Sequence, residues 1–104
     1  MGKAIKIFRP TNHRDQWDAD ENTPRTKIYE AYIPQELIKE RVGEEVAGLM
    51  FHALNAPEEI LNEMELKIAN HFRSPGNYSL STGDVVEVDG VSFLCESFGW
   101  KEIA

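Results

Sequence analysis

The chain reads as an α+β domain: a small, mainly antiparallel sheet, built from N-terminal strands and a C-terminal hairpin, covered on one face by two or three helices. Three observations predict this. Apolar residues alternate with period two near both ends of the chain, and they recur at helical spacing in the middle. Between two short β-branched runs lies Asp89-Gly90, the dipeptide that suits a two-residue type I′ hairpin turn. At 104 residues and 41% hydrophobic, the chain has the size and composition of a single domain, 1–104, with one core.

Residues 4–8 (AIKIF) are short, β-branched and bounded by Arg9-Pro10, which predicts a strand with Ile5 and Ile7 on one face. Residues 9–25 are polar and rich in Pro, Asn and Asp, and so form a long loop; Trp17 is its one large apolar residue and is expected to pin it to the body. Residues 27–33 alternate again, with Tyr29 and Ile33 inward, and Pro34 stops them.

The period then changes. Residues 35–42 predict a short helix with Leu37, Ile38 and Val42 inward, broken by Gly43. Glu44–Asn55 is the stronger helix: Val46, Met50 and Leu54 are four apart, and Glu44 and Glu45 lie where the helix dipole favours acids. Pro57 suits a first helical turn, so a third helix is expected from there, with Ile60, Met64, Ile68 and Phe72 as its stripe and Glu58 and Glu59 in its first turn. Ser74-Pro75-Gly76-Asn77 ends it.

The hairpin turn fixes a register. Val88 faces Val91, Val86 faces Phe93, and Asp84 faces Cys95. One face then carries Val86, Val88, Val91, Phe93 and Cys95, the expected core side; the other carries Val85, Glu87, Ser92, Leu94 and Glu96. The N-terminal strand is expected to pair with this hairpin, since an isolated hairpin is marginal in water.

Charge and composition narrow the function. The net charge is −7, but residues 1–41 hold seven acids and eight bases, whereas residues 42–104 hold eleven acids and three bases. Such a C-terminal part repels phosphate backbones, so direct nucleic-acid binding is not expected. Cys95 is the single cysteine, no apolar run approaches a membrane span, and MGKAIKIFRP lacks a signal-peptide core, which together predict a cytoplasmic protein with no membrane association.

No catalytic set emerges. His13, Arg14 and Asp15 are adjacent in a loop, where neighbours rarely converge on one point. His52, expected to be partly buried, and His71, expected at the surface, have no partner at metal-ligand spacing. The run from Asp18 lacks the Gly and Glu of a calcium loop, having Thr23 and Tyr29 there. Cys95 reads as a buried structural thiol. Ser79, Ser81 and Thr82 before Gly83-Asp84 read as a turn into the hairpin. Phe98-Gly99-Trp100 is the strongest candidate for recognition: Phe98 is expected to cap the core, and Trp100 is the candidate contact residue. No cofactor, metal or catalytic residue is therefore assigned.

The tail also resembles a family. Asn77-Tyr78-Ser79-Leu80-Ser81-Thr82-Gly83-Asp84-Val85-Val86, then Asp89-Gly90, then Cys95-Glu96-Ser97-Phe98-Gly99-Trp100-Lys101-Glu102-Ile103, resembles the YodL-like group of small proteins from bacterial phages and mobile elements. Phe51-His52-Ala53-Leu54-Asn55 is similar to the segment ahead of that tail, and Arg9-Pro10 and Trp17-Asp18 to phage members. The chain departs from the group in Gly83, where many members carry Ser, and in its long acidic helix. The resemblance implies a small cytoplasmic accessory protein of a phage or mobile element and no particular activity.

Two functions are therefore expected. The first is a non-enzymatic module that binds a protein partner through a hairpin edge or Trp100, with homodimerisation left open. The alternative is an acidic inhibitor that imitates nucleic acid, of the anti-restriction or anti-CRISPR type, presenting Glu44, Glu45, Glu58, Glu59, Glu63 and Glu65 to a basic cleft.

Overall fold

The computed structural model describes residues 2–77 and 79–103; Tyr78, part of the family-like tail, lies outside them. Five strands, β1 (Lys3–Pro10), β2 (Arg25–Ile33), β3 (Val85–Val88), β4 (Val91–Glu96) and β5 (Gly99–Ile103), form one antiparallel sheet in the order β2-β1-β3-β4-β5. Three helices, α1 (Gln35–Ile38), α2 (Glu44–Asn55) and α3 (Glu63–Arg73), lie in sequence between β2 and β3. The expected α+β architecture is the observed one.

The hairpin register is as the turn dictates. Val88 pairs with Val91 and Val86 with Phe93, and Asp89 and Gly90 take φ of 48° and 89°. Both central residues of a type I′ turn need positive φ, which Asp tolerates and Gly adopts freely. β1 pairs with β3 as well as β2, with Ile5 opposite Val88 and Ile7 opposite Val86. The core lies between this face and the helices: Ile5, Ile7, Tyr29, Ile33, Val86, Val88 and Phe93 meet Val46, Met50 and Leu54 of α2 and Ile68, Ala69 and Phe72 of α3. Each such large apolar side chain contributes about 1.5–3 kcal/mol by burial.

Several elements depart from the sequence reading. α1 ends at Ile38, and Val42 is exposed. Only Leu37 and Ile38 reach the core; Lys39 then turns to φ 56°, and Arg41 Nη1 donates to the Leu37 carbonyl at 3.0 Å, closing the helix end. α3 begins at Glu63, because Asn62 and Glu65 form a capping box: Glu65 N donates to Asn62 Oδ1 (2.8 Å) and Asn62 N to Glu65 Oε1 (3.0 Å). Pro57 instead opens a single 3-10 turn, Glu58–Ile60, and Ile60 is exposed. β5 was not expected: residues 99–103 form an edge strand beyond the hairpin. Val91 is exposed where core was expected, while Val85 and Leu94, on the side away from the helices, are only 4% exposed each.

A buried polar cluster explains how the N-terminal loop is held. Asp84 is completely buried. Its carboxylate accepts from Arg9 Nε (3.0 Å, Oδ1), Arg9 Nη2 (2.7 Å, Oδ2), Gln16 Nε2 (2.9 Å) and Ser81 N (2.9 Å). Gln16 Nε2 also donates to the Thr82 carbonyl, Arg9 Nη2 to that of Ser79, and Arg25 grips the Gly83 carbonyl through Nε and Nη2. Gln16, not Trp17, therefore pins the loop; Trp17 is 72% exposed. The strand reaches Pro10 rather than Phe8 because Arg9 and Pro10 still pair with Thr26 and Arg25 of β2, which places Arg9 beside Asp84.

Gly83 sits against this loop at φ 97°, and a Cβ there would stand 2.0 Å from the Gln16 carbonyl oxygen. Gly83→Ala is expected to cost more than about 2 kcal/mol, combining the left-handed penalty with that collision. Gly76→Ala, at φ 101° with open space around it, should cost only the conformational part, about 1–2 kcal/mol. Urea denaturation of the two variants checks the difference. Arg9→Met leaves the Asp84 carboxylate buried without its charge partner and should destabilise by about 3–5 kcal/mol, measured the same way.

Candidate functional site

Trp100 is half-buried on the helix-facing side of β5, directly opposite Cys95. α2 crosses above it so that Gly48 and Phe51 face the indole: the Phe51 and Trp100 rings meet edge to face, 6.2 Å between centroids and 84° between planes. With Cys95 and Glu96 these residues line a cleft of about 260 Å³. Phe98 stands beside it on the two-residue turn between β4 and β5 and is 97% exposed, contrary to the expectation that it caps the core. The turn closed by the Glu96–Gly99 pair leaves its side chain in solvent and outside the core cluster.

β5 leaves one side of this corner open as an edge. Cys95 N donates to Asp84 O and Gly83 N to Cys95 O, so the backbone of Cys95 faces β3 and that of Leu94 faces β5. Lys101 is then bonded to β4, and the N–H and C=O of Trp100 and Glu102 point outward. Phe51 is the site residue the sequence reading missed. Its signal was its place off the Val46-Met50-Leu54 stripe: an aromatic on the wrong side of an amphipathic helix must pack on something else or stay in water.

Cys95 is buried, and its thiol is pushed up from 9.0 to about 11, chiefly by burial and further by the negative charges of Asp84 and Glu96. It lines the aromatic cleft, whereas His13 lines a separate one of about 190 Å³ with Arg9, Trp17, Ser79 and Ser81. His13 and Asp15 share one 3-10 turn, where Arg14 Nε lies 4.0 Å from Asp15 Oδ1. His52 is exposed rather than partly buried, with Nε2 3.6 Å from Glu65 Oε2; His71 is exposed, its Nδ1 3.1 Å from the Tyr29 hydroxyl. Asp20 is held below the usual carboxylate range by the Asn22 backbone N–H. Among the described residues no cluster of His, Cys, Asp and Glu could hold a metal ion.

The acidic residues are dispersed. Glu44 and Glu45 open α2, Glu58 and Glu59 follow its far end, about 18 Å away along the axis, and Glu63 opens α3. Glu58 lies 3.6 Å from Arg73, and Glu65 is buried in its capping box.

No family model, curated protein or solved structure matches this chain.

The folded chain holds the Cys95 proton more tightly than the unfolded chain, so this contribution to stability is full below about pH 9 and is lost as pH rises through about 11. Tyr29, also raised by burial, loses stability in the alkaline range too. The two are separated by comparison with Cys95→Ala: the wild type's urea midpoint should fall toward the variant's between pH 9 and 11, and its thiol should resist iodoacetamide at neutral pH.

Proposed function

We propose that this chain is a small cytoplasmic accessory protein of a phage or mobile element that acts by binding another protein rather than by catalysis. The observation that carries the reading is the aromatic corner: Phe98, 97% exposed, beside the Phe51–Trp100 cleft and the outward backbone of β5. A fully exposed Phe forgoes about 1.5–3 kcal/mol of burial in the free chain. An interface that covers it recovers that energy, and aromatics in a partly formed pocket are typical anchors of protein contacts. The provenance rests on the likeness of residues 77–103 to the YodL-like group. The charge of residues 42–104 speaks for a protein partner over a nucleic acid. Imitation of nucleic acid by the glutamates has less support, because Glu58 has Arg73 beside it, Glu65 is buried, and the rest divide between the two ends of α2 and the start of α3.

Affinity capture from a host lysate checks the reading. The wild type should recover a reproducible protein that Phe98→Ser loses while keeping the wild-type melting temperature, since Phe98 makes no core contact. Equal recovery by both chains, or none by either, would refute it.

A further inference from the structure

The opposite edge of the sheet carries a second surface. Among the described residues β2 pairs only with β1 and is therefore the other edge strand. Its free backbone groups follow from the ladder. Ala4 donates to Asp89 Oδ1 and accepts from Asp89 N, so its backbone faces β3, and alternation turns Ile5 and Ile7 toward β2. Tyr29 and Ala31 are their partners. The N–H and C=O groups of Glu30 and Tyr32 consequently point away from the sheet, and among the described residues nothing bonds to them. One end of this edge is closed: the register shift between Ile7 and Phe8 leaves Ile28 unpaired, and Asn77 Nδ2 donates to its carbonyl (3.0 Å) and to that of Phe72 (3.0 Å).

Alongside this edge α3 packs on the strand at Tyr29, where His71 Nδ1 lies 3.1 Å from the hydroxyl, and leaves open space beside that contact and toward Pro34. Two adjoining cavities, about 300 and 280 Å³, share Lys67 and Ile68 and form one groove between β2 and α3. Its floor is Tyr29, Ile33, Ile68 and Met64, and its helix rim carries Lys67 and His71, one turn apart. Lys67 is one of three bases against eleven acids in residues 42–104, and it forms no ion pair among the described residues.

We propose that this groove binds an extended peptide segment of a partner protein, added as a sixth strand beside β2, with apolar side chains on the Tyr29–Ile68 floor and a carboxylate on Lys67. Edge addition supplies main-chain bonds at Glu30 and Tyr32, and the pockets opposite alternate side chains supply selectivity. The charge of the rim selects the partner: an acidic residue meets an unpaired cation there, while a basic one meets repulsion from Lys67. This surface lies at the far edge from the aromatic corner, so it stands or falls independently of that contact.

The test uses the whole chain and an array of synthetic extended peptides alternating apolar and polar residues, one set carrying an aspartate and a matched set carrying lysine. Aspartate peptides should bind at least about tenfold better than lysine peptides, and Lys67→Glu, an exposed helical substitution that leaves the core intact, should reverse the preference. In nuclear magnetic resonance titrations the Glu30 and Tyr32 amides should shift and gain protection from exchange on binding. Failure of both peptide sets to bind, binding that leaves Glu30 and Tyr32 unperturbed, or an unchanged preference in Lys67→Glu would overturn the proposal. So would pairing of β2 with a second copy of the chain in the free protein.

Discussion

The arrangement of the N-terminal third depends on one ion pair. Arg9 lies near the end of β1 and Asp84 just before β3, and their bidentate contact buries a carboxylate completely. A buried charge is tolerable only when every oxygen is satisfied. That requirement recruits Gln16 from the loop and Ser81 from the preceding turn. The same turn presents the Gly83 carbonyl to Arg25 at the start of β2. Three strands and the long loop are thus tied to a few residues around Asp84, and the apolar core settles only what lies on the helix side of the sheet.

How much of this could be read from the sequence varied with the locality of the signal. The β3–β4 register was legible from Val88–Val91 to Val86–Phe93, because Asp89-Gly90 admits essentially one turn geometry and a slip would expose Phe93; the expected Asp84–Cys95 pair gives way to a shift in which Gly83 N donates to Cys95 O and Cys95 N to Asp84 O. α2 was legible to the residue from its apolar stripe and its flanks. The start of α3 was misread because Pro57 and the Ile60-to-Phe72 spacing outweighed Asn62-x-x-Glu65, a weaker-looking signal with a stronger mechanism. The Arg9–Asp84 cluster was invisible, since nothing local links residues 75 positions apart. At the aromatic corner the expectation that Phe98 caps the core fails, and the open exposure of Trp100 resolves to a half-buried ring, because whether residues 99–103 continue the sheet decides which way each ring points, and period-two alternation over five residues is a faint pattern.

The fold also divides its surface by chemistry. Helices cover one face of the sheet, so the candidate contacts fall at its two ends. The β5 end is aromatic, with Glu96 and Glu102 nearby, and the β2 end is a groove with a cationic rim. Among the described residues Lys67 forms no ion pair, so the two edges differ in charge as well as in shape.

The place of β1 has a consequence for the order of folding. It is the first strand of the chain yet lies inside the sheet, flanked by β2 and β3. Until β3 has been synthesised, β1 and β2 form only a two-stranded ribbon with one edge of β1 bare, and such a ribbon is marginal in water. Closure of so long a loop favours slow, cooperative folding over stepwise assembly. During synthesis the N-terminal ribbon would therefore wait for the final quarter of the chain, and for that interval the bare edge of β1, with Ile5 and Ile7 uncovered, is the segment most prone to pair with the wrong strand.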